Sequence, residues 1–88
     1  MVEKELTVLT RAGIHARPAS VISQIASSYP CDVTMKSGTM TINAKSIMGV
    51  ITLGACYKTK IALITDGEGE EECAERIVQA FLSRFEEE

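Results

Sequence analysis

The strongest constraint on this chain is how its hydrophobic spacing switches along the sequence, from every second residue to every third or fourth and back. From Val2 to Leu9, Leu6 and Val8 fall on one side with Glu5 and Thr7 on the other, which predicts a half-buried strand. From Ala16 to Ser28, Ala19, Ile22 and Ala26 recur at helical spacing, and Val21 and Ile25 widen the stripe. Tyr29-Pro30 ends that helix, because the residue before a proline is pushed out of the helical region. Cys31, Val33 and Met35 then alternate with Asp32, Thr34 and Lys36, and after Ser37-Gly38 the alternation resumes through Met40, Ile42 and Ala44. Two strands joined by a short turn follow.

Ser46 is placed to cap a short helix filled by Ile47, Met48, Val50, Ile51 and Leu53 and closed by Gly54. Gly49 inside it is unfavourable by about 1 kcal/mol against alanine, which points to a close approach of another surface. Lys60 to Thr65 reads as another strand and Asp66-Gly67 as a turn. Glu70 to Phe85 carries the clearest helical stripe: Cys73, Ala74, Ile77, Val78, Phe81, Leu82 and Phe85. Glu70, Glu71 and Glu72 sit in its first turn, where the helix dipole favours acid, whereas Glu86 to Glu88 oppose the dipole and predict a frayed end.

The order strand, helix, strand, strand, helix, strand, helix is that of an α+β domain. With one apolar face per strand, the helices are expected on one side of a four-stranded antiparallel sheet. A right-handed crossover from the first strand to the second leaves a gap that the fourth can fill. Periodicity alone also allows a ferredoxin-like strand order.

Eighty-eight residues suffice for one domain, residues 1–88, burying roughly 60 to 70% of the surface of its unfolded chain. Hydrophobic residues make up 45% with only two prolines, which excludes disorder, and the absence of tryptophan leaves packing to aliphatic side chains. A net charge of −3 argues against nucleic-acid binding, which needs a basic face. Cys31, Cys56 and Cys73 are odd in number and widely spaced, so they fit neither a disulfide framework nor a metal site and read as small buried hydrophobes in a reducing compartment. No cofactor and no metal is implied. The chain starts without a basic, apolar leader and holds no membrane-length run, so the cytoplasm is expected and membrane insertion is not.

The segment Gly13-Ile14-His15-Ala16-Arg17-Pro18-Ala19-Ser20 sets the only histidine directly before a helix start. Unpaired N–H groups there favour an anion, and Arg17 adds a cation with fork geometry, so a phosphoryl group on His15 would be held from two sides. Pro18 fits because an early helical position needs no N–H donor. By themselves, a lone histidine is usually without chemistry, Arg17 an ordinary solvated residue and Ser46 a helix cap. His15 has no carboxylate or hydroxyl partner nearby in sequence, so a hydrolytic dyad is not supported.

The octapeptide resembles the phosphorylation-site motif of the HPr family of histidine-containing phosphocarriers. Asn43-Ala44-Lys45-Ser46-Ile47-Met48-Gly49-Val50 resembles that family's regulatory serine region, at the matching distance, and the likeness spans essentially the whole chain. It implies an open-faced β-sandwich with strand order 1-4-2-3 and three helices on one face. It implies a non-enzymatic carrier of the bacterial sugar phosphotransferase system: His15 takes a phosphoryl group on Nδ1 from phospho-enzyme I and passes it to IIA domains of sugar permeases. Arg17 and the amides of Ala16 and Arg17 would bind the phosphate. Ser46 would be phosphorylated by an HPr kinase/phosphorylase in carbon catabolite regulation, with a catabolite-control regulator as a further partner. Ser20, Gln24, Ile47, Met48 and Ile51 would form the docking patch, and a monomer is expected. Many family members carry lysines on the exposed side of the first helix, where this chain has Gln24 and Ser27, so electrostatic steering would be weaker.

Two alternatives stand beside this reading. A regulatory binding protein would use the same face and Ser46 with little carrier flux, but such family members replace the histidine, and His15 and Arg17 are present here. A ferredoxin-like small-molecule sensor would give neither motif a role.

Overall fold

A computed structural model describes residues 1–86. The elements are β1 (Val2–Thr7), α1 (Ala16–Ser27), β2 (Asp32–Ser37), β3 (Met40–Asn43), α2 (Ile47–Leu53), β4 (Lys60–Asp66) and α3 (Glu70–Leu82), followed by a short turn at Arg84–Glu86. Among the described residues the strands form one antiparallel sheet in the order β1-β4-β2-β3. Of the two orders the periodicity allowed, this is the one with β4 in the gap between β1 and β2.

The register lines up the apolar rows. Leu6 faces Ile61 across β1 and β4, and Met35 faces Leu63 on one side and Ile42 on the other. Leu6, Ile61, Leu63, Val33 and Met35 are buried with Ala19, Ile22 and Ala26 of α1, Val50 of α2, and Ala74, Ile77 and Phe81 of α3. One face of the sheet therefore meets all three helices, and the other carries Glu5, Ala62, Lys36 and Thr41 into solvent. The edge strand β3 contributes least: Met40 is exposed and Ile42 only half-buried.

Strand β1 stops at Thr7, short of the expected Leu9, although Val8 remains hydrogen-bonded to Lys58 and Thr59 at 2.8 and 2.9 Å and stays buried. The last helix ends at Leu82 rather than Phe85. Arg84, Phe85 and Glu86 take left-handed φ values of 54°, 54° and 60°, which costs about 1–2 kcal/mol per residue. Burial of Phe85 edge-on against Phe81, with ring centroids 5.0 Å apart, offsets that strain. The fraying expected from Glu86 to Glu88 falls, at Glu87 and Glu88, outside the described residues.

Cys31 and Cys73 are buried as expected, but Cys56 is exposed. Its neighbour Ala55 takes the core position, and Cys56 sits on a turn closed by its N–H to Thr59 Oγ1 at 3.1 Å and by Thr59 N–H to its carbonyl at 3.0 Å.

The start of α3 is held without an N-cap side chain, since Gly69 occupies that place at φ 80°. Glu70 substitutes: its carboxylate accepts from the Gly67 N–H at 2.9 Å and from the Met1 amine at 2.8 Å. The hydrogen bond from the amine is the largest cause lowering the Glu70 pKa, and the same bond raises that of the amine. The carboxylate's contribution to stability is thus full above its ordinary value of 4.5 and lost as pH falls through its lowered value. The amine's contribution is full below 8.0 and lost as pH rises through its raised value. The melting temperature is expected to plateau between about pH 5 and 8. Glu70→Gln should flatten both limbs, checked by thermal melts across pH; unchanged limbs would remove Glu70 from this role.

Candidate functional site

The approach to α1 is fixed by backbone geometry. Thr10, fully buried, donates its hydroxyl to the Gly13 carbonyl at 3.0 Å, and the Gly13 N–H returns to the Thr10 carbonyl at 3.0 Å. Gly13 sits at φ +76°, where a Cβ would lie 2.7 Å from the Ala55 carbonyl oxygen. Ile14 is buried and its N–H donates to that same oxygen at 2.9 Å. A side chain at position 13 would separate these two segments, so only glycine fits.

His15 follows as the N-cap of α1, with extended backbone, and its carbonyl accepts from the Ala19 N–H at 2.9 Å. Its ring is exposed and makes no capping hydrogen bond. Pro18 occupies the first turn, where the missing N–H costs nothing. The imidazole is thus presented to solvent beside the first amides of a helix, on a loop held at both its polar and apolar contacts.

Arg17 is exposed on the first turn of α1 and lines a groove of about 480 Å³ with Val21, with Arg76, Gln79 and Ala80 of α3, and with Ser83 just beyond it. Arg76, midway along α3, is also engaged with Tyr29 past the end of α1, 3.2 Å from its hydroxyl and over its ring. The groups with displaced titration, the Met1 amine, Glu70, Tyr29, Cys73 and Arg76, lie at the chain start, on α3 and just past the end of α1. They belong to ion pairs, hydrogen bonds and burial that hold the fold.

Helix α2 begins as read from the sequence. Ser46 is its N-cap, its Oγ accepting from the Gly49 N–H at 3.0 Å, and Gly54 ends it at φ 63°. The close approach at Gly49 is internal: a Cβ there would stand 3.2 Å from the Asn43 carbonyl and 3.4 Å from the Ser46 Cβ. Ile47 is 43% and Met48 68% exposed, while Ile51 is half-buried against the core. On α1, Ser20 is half-buried and Gln24 exposed.

The tie between α1 and the segment leading into α2 went unread in the sequence. Ser23, a polar residue on the buried side of α1, donates to the Lys45 carbonyl at 2.7 Å, and Lys45 Nζ donates to the Tyr29 carbonyl at 2.9 Å. The residue before Ser46 is therefore tied to both the middle and the end of α1. A serine within an otherwise apolar stripe was the only available signal.

Among the described residues no three His, Cys, Asp or Glu side chains are grouped to hold a metal ion, and no helix is long and apolar enough to cross a membrane.

A family model described as the PTS HPr component phosphorylation site matches residues 2–83. This chain belongs to the HPr family. It is 41% identical to the phosphocarrier protein HPr of Treponema pallidum over 88 residues, covering all of both chains. HPr from Thermoanaerobacter tengcongensis superimposes with a TM-score of 0.95 at 34% identity, covering 100% of this chain and 99% of that one. The catabolite repression protein Crh of Bacillus subtilis, solved as a swapped dimer, gives a TM-score of 0.71 at 35% identity over 94% of each chain. The protein is thus a phosphocarrier-family member with the four-stranded, three-helix HPr architecture.

Proposed function

We propose that this chain accepts a phosphoryl group on His15 Nδ1 from phospho-enzyme I and passes it to the IIA domains of sugar permeases. In each transfer the lone pair of a neutral acceptor imidazole attacks phosphorus as the P–N bond to the donor histidine breaks. The carrier then needs only to position the ring and offset charge. The observation that carries this reading is the exposed His15 ring at the start of α1, beside amides that have no intrahelical acceptor. Ala16 and Arg17 supply the N–H groups, and Arg17 supplies the cation. As a carrier, the chain is a substrate of other catalysts and works in the cytoplasm.

Ser20, Gln24, Ile47, Met48 and Ile51 are proposed as the surface that meets enzyme I and the IIA domains. Ile47 and Met48 support this because they leave apolar area in solvent on the helix that packs beside α1, and methionine adapts to several partners. Ser46 is proposed as the target of an HPr kinase/phosphorylase. Phosphate on its exposed Oγ would rest on the amide end of α2 while adding about 1.5 to 2 negative charges beside this surface, so the fold tolerates it and docking weakens. A catabolite-control regulator is the partner such a form would serve, a reading supported by the likeness to Crh. The active form is proposed to be a monomer, although Crh was solved as a dimer.

Incubation with enzyme I and phosphoenolpyruvate, followed by intact mass measurement, tests the proposal. One acid-labile phosphoryl unit should be gained. Arg17→Ala should slow transfer about a hundredfold, the scale of losing one charge-stabilising donor, without altering the melting temperature. Equal rates in both directions would exclude Arg17 from the phosphate site.

A further inference from the structure

The turn that follows α2 carries a strained lysine. Cys56 to Thr59 form a four-residue turn closed by the Thr59 N–H to the Cys56 carbonyl at 3.0 Å, and Lys58 stands at its third position with φ 71°. Glycine normally fills that place, because a residue with a β-carbon is strained at a left-handed angle. The side chain is not buried in return. Lys58 is exposed, and its ammonium stands 5.4 Å from the centroid of the Tyr57 ring, itself 45% exposed. Strain of this kind gathers where a side chain must be displayed for use.

The turn is built onto the loop that presents His15. Lys58 N–H donates to the Val8 carbonyl at 2.8 Å, and Val8 N–H donates to the Thr59 carbonyl at 2.9 Å. The first residue of the turn abuts Gly13, where a Cβ would lie 3.3 Å from the Cys56 Cα, and the Ala55 carbonyl before it accepts from Ile14. Tyr57 and Lys58 are thus fixed relative to the histidine loop, at the other end of α2 from Ile47 and Met48.

Charge is segregated along the sequence. Residues 6–31 and 33–65 contain no aspartate or glutamate, so the loop, α1, α2 and the turn contribute only cations: Arg11, Arg17, Lys45 and Lys58. Lys45 is taken up by the Tyr29 carbonyl, and Lys60, just past the turn, lies 3.8 Å from Glu5. From elsewhere in the chain, Glu86 lines the groove of Arg17. Lys58 is instead displayed against Tyr57. The partner such a surface fits is a protein face carrying carboxylates beside its own phosphohistidine.

We propose that Lys58, supported by Tyr57, is a docking arm that receives a carboxylate of the phosphoryl donor and sets the affinity for that donor. This rests on transfer from phospho-enzyme I to His15 as read above. Because the turn and the ring already hold the ammonium out, the contact forms with less ordering of a long side chain.

The test measures transfer from phospho-enzyme I to the parent chain and to Lys58→Gly, Lys58→Glu and Lys58→Arg, with a thermal melt of each. Lys58→Gly should melt no lower than the parent, because glycine relieves the turn. It should nonetheless raise KM roughly two- to fivefold at low salt with kcat retained, the scale of one exposed ion pair. Lys58→Glu should raise KM further, to roughly tenfold, and Lys58→Arg should restore it. These differences should fade as salt rises from about 0.05 to 0.5 M. Independently of phosphorylation, the amides of residues 57–59 should shift when isotope-labelled parent chain is titrated with enzyme I. A parent-like KM in both Lys58→Gly and Lys58→Glu, an effect indifferent to salt, or no shift at residues 57–59 would overturn the proposal. A chain that shows these shifts yet gains no phosphoryl group would overturn the transfer reading and leave the docking arm standing.

Discussion

His15→Ala is expected to take up no phosphoryl group from phospho-enzyme I while melting close to the parent chain. The loss should be complete rather than partial, because the sequence contains no second histidine to accept in its place. Stability should change by no more than about 1 kcal/mol: the ring is exposed and contributes no capping hydrogen bond, and the elements that fix the loop are Thr10, Gly13, Ile14 and Ala55. Intact mass after incubation with enzyme I and phosphoenolpyruvate reads the first part, and a thermal melt the second. A phosphorylated alanine variant would place the acceptor elsewhere.

Gly13→Val should lower stability by about 2–4 kcal/mol and depress phosphoryl uptake with it. The left-handed backbone at φ +76° costs a β-carbon-bearing residue about 1–2 kcal/mol. The new Cβ would also press on the Ala55 carbonyl oxygen at 2.7 Å, a backbone atom that cannot swing aside, and would part the hydrogen bond it accepts from Ile14, worth about 0.5–1.5 kcal/mol. For a chain of this length the melting temperature would fall by roughly 10–25 °C. Below that temperature the variant should still accept phosphate slowly, since His15 is displaced and not removed. A parent-like melting temperature would mean that the contact between the loop and Ala55 does not anchor the site.

Much of this was legible in the sequence because period and punctuation agreed. Alternation marked the first three strands, Pro30 closed α1, and Ser46 with Gly54 bracketed α2. The motif placed His15 at a helix start, and the backbone puts it at the N-cap. What periodicity did not resolve was whatever depends on the third dimension. Strand order needed the family likeness, since the apolar spacing of β4 is the same at a sheet edge or between β1 and β2. Phe85 continued the stripe of Ile77 and Phe81, yet it reaches the core through a left-handed turn, because burial of a ring does not require the helix that the spacing suggests. Cys56 resembled its two buried counterparts in composition alone; a turn aims it outward while Ala55 fills the interior. The Ser23–Lys45–Tyr29 linkage joins residues too distant in sequence for any local pattern to show.

The most direct measurement is a load-and-chase experiment on the intact chain. Enzyme I with limiting phosphoenolpyruvate loads the protein, a IIA domain is added, and the masses of both proteins are followed over time. The account predicts that the chain gains one phosphoryl unit and then returns to its starting mass as the IIA domain gains the same unit. A chain that never gains the unit, or that keeps it in the presence of the IIA domain, would contradict the claim that the ring at the start of α1 carries phosphate reversibly.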